Sequence, residues 1–192
     1  MPPPLPHETP MAPNATVYKA ELQISDMDRH YYATHGLTLA QHPSETPERL
    51  MARLLAFSLF AGDSLAFGKG LSTDTEPDLW SKAMTGVITQ WIELGQPDEA
   101  RIRKACGRAE QVVVVNYQGR ASATWWDRTG GALGRLGNVS VVDLPTDQVE
   151  ATTALLERTM RLNCLIQDHH LQLMNAGHSV TIEPRWRLDA RA

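Results

Sequence analysis

The sequence predicts an α/β (α+β) fold, in which helices flank a mixed β-sheet and a β-hairpin is added at the amino-terminal end. Segments with strand-like and helix-like patterns alternate along the chain, as expected for helices packed on a mixed sheet. Residues 112–115 are all valine, and such a continuous run is typical of a strand buried on both faces. The stretch after Thr46 has the clearest helical periodicity in the chain.

The hairpin is predicted first along the chain. Residues 15–24 alternate between polar and apolar side chains, residues 25–28 supply turn formers, and residues 30–39 form the returning strand.

The first helix is predicted from Thr46, a favourable N-cap, through Pro47 at the first helical position, to Gly62. Helical phasing places Glu48 at the edge of the apolar stripe, and Arg49 and Arg53 on the opposite, solvent-facing side. Because a carboxylate is unusual beside a buried stripe, Glu48 is a candidate functional residue.

A polar loop is predicted at residues 68–80, followed by a strand at 87–94 and a second helix from Pro97 to Gly107. The rest of the chain is predicted as a short helix, a glycine-rich flexible connector, a strand, a third helix and two or three closing strands. These lie at residues 122–128, 130–137, 138–144, 147–159, 160–166 and 180–186, with 171–174 as the optional strand.

The composition bounds the class of protein. The 192 residues carry a net charge of −4, which argues against a protein that coats nucleic acid through a strongly basic surface and leaves a local basic patch open. The sequence has no apolar run long enough for a membrane helix, and its start does not have the pattern of a secretory signal. We therefore expect a cytoplasmic protein without membrane contact. A monomer is the default expectation. One domain is expected at residues 14–187, with a flexible proline-rich tail at 1–13 and a second tail at 188–192. Cys106 and Cys164 are predicted to be reduced thiols.

Two further carboxylates occupy unusual positions. Asp78 follows Pro77 just before the apolar pair Leu79-Trp80, and Glu93 interrupts an otherwise apolar predicted strand. A buried carboxylate is costly unless it is paired or bound to a cation. Magnesium or manganese suits a cluster of such oxygen ligands. The alternative is structural: Glu93 pairs with an arginine of the next helix, Asp78 caps a turn, and Glu48 stabilises the start of its helix.

The sequence resembles the YaeQ family of bacterial proteins, which is grouped with the PD-(D/E)xK nuclease-like superfamily. The resemblance covers nearly the whole chain after the tail. It rests on the stretches TVYKAEL, LAQHPSETPERLMARLLAF, EPDLW, WIELGQPDEARIRKAC, TWW, NVSV and ERTMRLNCLIQD.

The resemblance implies a restriction-endonuclease-like core and a carboxylate site on it. Asp78 and Glu93 would match the motif's acids, Glu48 the acid of the first core helix, and the backbone carbonyl of Leu94 a further ligand of Mg²⁺ or Mn²⁺. The motif lysine is missing, because Gly95 stands in its place.

Two residues of the second helix are candidates for the cation at this site. Lys104 matches by residue type, whereas helical phasing favours Arg101.

The implied function is a metal-dependent nuclease that hydrolyses phosphodiester bonds in DNA or RNA. A bound metal would activate a water for attack on phosphorus, and Lys104 or Arg101 would stabilise the phosphoryl charge. The alternative is a catalytically inactive protein of the same fold that acts as an interaction or regulatory module.

Overall fold

The computed structural model of the chain describes residues 14–69 and 75–190. The predicted tail at residues 1–13, residues 191–192 and residues 70–74 of the polar loop lie outside them. The described elements are β1 (Thr16–Asp26), β2 (Tyr31–Gln41), α1 (Pro47–Phe60), β3 (Leu65–Phe67), β4 (Leu79–Lys82), β5 (Ile88–Leu94), α2 (Glu99–Cys106), β6 (Ala109–Asn116), α3 (Gly119–Leu133), β7 (Val139–Asp143), α4 (Thr146–Thr152), a 3₁₀ turn (Thr153–Leu155), β8 (Thr159–Gln167), β9 (His170–Met174), β10 (Ser179–Ile182) and β11 (Arg185–Leu188).

The chain has a mixed α+β fold with two mixed sheets. The five-stranded sheet has the order β10-β9-β8-β1-β2, and the six-stranded sheet has the order β11-β7-β6-β5-β4-β3. In the first, β1 pairs antiparallel with β2 and parallel with β8. In the second, β5, β6 and β7 are parallel, while β3, β4 and β11 pair antiparallel. The predicted single mixed sheet is therefore two.

Helix α1 lies in a core that both sheets share. This core contains Leu54 and Leu55 of α1, Leu22 of β1, and Ile92 and Val113 of the six-stranded sheet. Because α1 is surrounded in this way, the prediction that Arg49 and Arg53 face solvent is wrong. Arg53 is only 4% exposed, and Arg49 is largely buried. Helical phasing assumed one buried face, whereas α1 is buried on most of its circumference.

A second core covers the other face of the six-stranded sheet. Ile102 of α2 and Trp125 of α3 pack there with Trp91, Val112 and Val114. The valines of residues 112–115 therefore divide between the two cores, as expected for a strand buried on both faces. None of the helices in residues 14–69 and 75–190 has the length and apolar content needed to span a membrane.

Several predicted boundaries differ from the observed ones. Residues 79–82 form β4, although the polar loop was predicted to continue through Trp80. Helix α3 begins at Gly119 and runs into the predicted glycine-rich connector. Gly130 lies within α3, and a Cβ at this position would approach the Trp126 ring to 2.7 Å, so the packing of that ring favours glycine. The third predicted helix is shorter, since β8 already begins at Thr159.

The last predicted strand is two strands in different sheets. β10 closes one edge of the five-stranded sheet and β11 closes one edge of the six-stranded sheet. Pro184 lies between them, and a proline cannot donate to a strand ladder. The chain passes from one sheet to the other at this residue, and β11 extends through Leu188.

Candidate functional site

Asp78 and Glu93 lie on neighbouring strands of the six-stranded sheet. Leu79 pairs with Ile92 in the antiparallel β4–β5 ladder. The same register places Asp78, the residue before β4, opposite Glu93. Because side chains alternate along β5, Glu93 lies on the face that Trp80 and Trp91 occupy. Asp78 precedes β4 and reaches α1 through Arg49, but its charge still acts on the Glu93 carboxylate.

Glu93 is 4% exposed and is held by two donors. The Trp91 Nε1–H donates to Oε1 at 2.7 Å, and the Arg101 Nε–H donates to the same oxygen at 2.8 Å. Arg101 is placed at the start of α2, where its backbone N–H donates to the N-cap Asp98. Its Nη2 also donates to the Glu76 carbonyl at 3.0 Å. Glu93 is thus paired with an arginine of the next helix, the structural alternative considered above.

Asp78 is 8% exposed and uses both carboxylate oxygens. The Leu94 backbone N–H donates to Oδ2 at 2.8 Å. Arg49 of α1 donates from Nη2 to Oδ1 at 2.6 Å. Asp78 therefore ties α1 to the end of β5.

Glu45 is a third buried carboxylate, and sequence analysis missed it. Its Oε1 accepts from Arg49 Nη1 at 3.0 Å and its Oε2 from Arg53 Nη2 at 2.8 Å. Arg53 Nη2 also donates to the Ala40 carbonyl at 2.8 Å. The spacing of Glu45, Arg49 and Arg53 at intervals of four residues was the available signal, because such residues are neighbours along a helix.

The electrostatics of these groups follow from burial and pairing. Burial raises the pKa of Glu93, and the Asp78 charge adds to the rise, although Arg101 and Trp91 oppose it. Burial lowers the pKa of Arg49, but the carboxylates of Asp78 and Glu45 outweigh that effect and raise it above its ordinary value. The effect of Asp78 on Glu93 is the interaction expected of two nearby acids.

The other predicted site residues take different positions. Glu48 is half-buried at the start of α1, and its charge contributes to the raised pKa of Tyr117, which burial mainly causes. Leu94 meets Asp78 through its N–H, whereas a role for its carbonyl was expected. Lys104 is exposed. Arg101 is the cation bound to Glu93, as helical phasing favoured.

Gly95 stands at the position where the resemblance implies a lysine. Its φ is +87°, a backbone conformation that glycine adopts readily and that strains other residues. The turn that leads from β5 into α2 therefore favours glycine at this position.

The arrangement of donors does not fit a divalent cation. Within the two described ranges, no group of three or more His, Cys, Asp or Glu side chains could hold a metal ion. Both oxygens of Asp78 and of Glu45, and Oε1 of Glu93, already accept hydrogen bonds from nitrogen donors. Three arginines balance three carboxylates, so the charge that would attract Mg²⁺ or Mn²⁺ is already neutralised.

A row of aromatic and cationic side chains adjoins Glu93; we call it the cation–aromatic ladder. Lys82 Nζ lies 3.5 Å from the centroid of the Trp80 ring. Trp80 meets Trp91 edge-to-face at 6.1 Å between centroids, and the Arg108 guanidinium lies 5.0 Å from the Trp91 centroid. Lys82 and Arg108 are both exposed. The ladder therefore presents positive charge beside the arginine-bound acids.

Fold and site together define an α+β protein of two mixed sheets that encloses a buried acidic cluster neutralised by arginines. Within that class the chain belongs to the YaeQ family, because its residues 11–184 match the family model described as YaeQ protein. The YaeQ protein of Escherichia coli is 44% identical over 172 residues, which are 90% of this chain and 95% of the relative. That of Salmonella typhi is 41% identical over 173 residues, 90% and 96% of the two chains.

Two solved structures are similar to this fold. The crystal structure of the YaeQ protein from Xanthomonas axonopodis pv. citri superposes with a TM-score of 0.88 and 56% identity, over 91% of this chain and 98% of that chain. The YaeQ protein from Pseudomonas syringae superposes with a TM-score of 0.86 and 32% identity, over 91% and 97% of the two chains.

Proposed function

We propose that the unit from α1 to β6 is a restriction-endonuclease-like core, and that the protein acts as a nucleic-acid-binding module that does not cleave its ligand. The observation that carries this proposal is the neutralisation of Glu45, Asp78 and Glu93 by arginines. Removing either member of such a buried pair is costly. The acids therefore serve to hold Arg49 and Arg101 in place.

The proposed partner follows from the cation–aromatic ladder and the adjoining helix. Three cations are exposed: Lys82 of β4, Lys104 of α2, and Arg108, which follows α2. Arg103 of α2 is instead paired with Glu99. Exposed cations beside an accessible aromatic ring are the combination that binds the phosphates and bases of single strands. Trp80 supplies that ring, because it is only partly buried, whereas Trp91 is 2% exposed. The net charge of −4 of the whole chain makes this a local patch, which suits weak and salt-sensitive binding.

The first experiment measures cleavage and binding together. Labelled DNA and RNA, single- and double-stranded, are incubated with the protein in Mg²⁺, in Mn²⁺ and in a chelator, and binding is followed by fluorescence anisotropy. We expect binding without cleavage in all three conditions. The double variant Lys82→Gln/Arg108→Gln should weaken binding and reduce the slope of log K against log salt by about 2.

Arg161→Gln is the matched control, because Arg161 is an exposed cation of β8 in the other sheet. It should leave the affinity and the salt slope unchanged. Equal losses in the control and the double variant would contradict a role for the ladder, and absence of binding to every strand tested would overturn the proposed partner.

The second candidate function is the Mg²⁺- or Mn²⁺-dependent nuclease. The observation that favours it is that the Asp78 charge acts on the Glu93 carboxylate and helps to raise its pKa. Nuclease activity of this kind would be shown by cleavage that a chelator abolishes and that is lost in both Asp78→Asn and Glu93→Gln. Cleavage of that kind would replace the non-catalytic proposal. Cleavage that survives both substitutions would come from a contaminating nuclease.

A further inference from the structure

A cavity of about 410 Å³ lies at the carboxyl ends of the parallel strands β6 and β7. It is lined by Gly119 and Ser122 in the first turn of α3, by Asp143 at the end of β7, and by Arg185 and Arg187 of β11. None of these residues belongs to the acidic cluster. Ligands of sheets with parallel strands commonly bind outside the carboxyl ends of the strands.

Two of the lining residues, Ser122 and Asp143, accept hydrogen bonds from Gln96 and Asn116. Asn116 is fully buried, and its Nδ2 donates to Asp143 Oδ1 at 3.1 Å. Gln96 Nε2 donates to the Ser122 hydroxyl oxygen at 3.2 Å. Because this oxygen accepts a hydrogen bond, the Ser122 hydroxyl keeps its hydrogen to donate. Such a network is retained in a core only when it is well satisfied, so these side chains are held in fixed positions.

The charges at the cavity favour an anion. Arg187 forms an ion pair with Asp143, which leaves the charge of Arg185 in excess. Within residues 14–69 and 75–190, the Arg185 side chain makes no hydrogen bond or ion pair. Two neighbouring residues of the cavity lining therefore supply guanidinium groups, and one of them has its donors free.

We propose that this cavity binds a small phosphate-bearing molecule, with its phosphate on Arg185, Arg187 and the Ser122 hydroxyl. A phosphate offers several acceptor oxygens, which match the planar forks of two guanidinium groups better than one carboxylate does. The cavity volume admits a small metabolite around that phosphate. This site is separate from the ladder, so it stands or fails independently of nucleic-acid binding.

In the test, inorganic phosphate is titrated into the full chain and followed by NMR. Acetate is titrated in a parallel experiment, to compare a carboxylate with phosphate. We expect phosphate to shift the amide resonances of Gly119 and Ser122 and to bind more tightly than acetate. Arg185→Gln should weaken phosphate binding about tenfold, as expected for the loss of a charge-assisted hydrogen bond. Arg103→Gln, which removes an exposed arginine of α2, is the matched control and should bind phosphate like the wild type.

A second variant predicts a change of opposite sign. Asp143→Asn keeps an acceptor for Asn116 but removes the carboxylate that neutralises Arg187, so it should tighten phosphate binding. The proposal is overturned if phosphate shifts no resonance of the cavity lining, if Arg185→Gln and Arg103→Gln bind equally, or if acetate binds as tightly as phosphate.

Discussion

The two sheets of the molecule differ in how many of their faces are buried. The five-stranded sheet packs one face on the shared core and leaves the other in solvent, so Lys19 and Glu21 of β1 are simply exposed. The six-stranded sheet has the shared core on one face and the core formed with α2 and α3 on the other. An acidic residue there, such as Glu93, is buried and needs a partner. The comparison shows why Glu93, on a sheet covered on both sides, is paired with Arg101, whereas Lys19 and Glu21 remain in solvent.

The largest expected effect comes from removing a partner of the buried acids. Arg49→Ala leaves Asp78 without its guanidinium and Glu45 with only Arg53. We expect unfolding to become easier by about 3–5 kcal/mol, because an uncompensated buried charge remains. Urea denaturation measures this difference.

The matched change on the exposed face is Arg161→Ala in β8, which should alter stability by no more than about 0.5 kcal/mol. Similar losses for the two variants would contradict the contrast between the sheets.

Two glycines offer a second comparison. A Cβ on Gly68, just after β3, would lie 2.0 Å from the Pro77 carbonyl oxygen, whereas a Cβ on Gly36 of β2 would meet nothing within 4 Å. Gly68→Ala should therefore displace the backbone next to Asp78 and destabilise the protein by about 2 kcal/mol. Gly36→Ala should stabilise it by about 0.5 kcal/mol, because alanine has less freedom in the unfolded chain.

Thermal melting of both glycine variants distinguishes the outcomes. A neutral Gly68→Ala would mean that the close approach of Gly68 to Pro77 is not required for the position of Asp78.

The smallest effect is a change in pH dependence. The pKa of Glu93 in the folded state is raised above its ordinary value of 4.5, mainly by burial. The folded state therefore holds its proton at pH values where the unfolded state has released it. The contribution of Glu93 to stability falls as pH rises upward from about 4.5. The free energy of unfolding of the wild type, relative to Glu93→Gln, should decrease over that window.

Denaturation at a series of pH values measures this slope, with Glu21→Gln on the exposed face of β1 as the control for the loss of one acid. A wild type that gains stability relative to Glu93→Gln as pH rises would contradict the raised pKa.

Local patterns predicted most of the elements but not how they assemble. The N-cap Thr46 and Pro47 located the start of α1, and the valines of residues 112–115 located β6. The division into two sheets depends on the parallel pairing of β1 with β8, for which no local pattern exists. Strand β4 was missed because its four residues are flanked by polar sequence. Residues 180–186 were read as one strand although Pro184 marks the crossing between the sheets.

The candidate site was predicted only in part, because local patterns do not show how distant segments pack against each other. The alternation of β5 correctly placed Glu93 on the face of Trp91. The arginines of α1 were assigned to solvent, because periodicity alone cannot reveal a helix that is buried on most sides. Glu45 was overlooked because it precedes the helix and lies in a polar stretch. The pairing of acids with Arg49 and Arg101 depends on contacts between segments distant in sequence.

The parallel pairing of β1 with β8 also constrains how the chain reaches this fold. Residues 19–26 bond to residues 159–166, so β1 completes this ladder only after β8 has left the ribosome. Contacts of such long sequence separation slow folding. Until then the nascent β1–β2 hairpin carries an open edge that invites pairing with other chains. The order of the strands thus leaves this edge unpaired for the whole interval between the synthesis of β1 and that of β8.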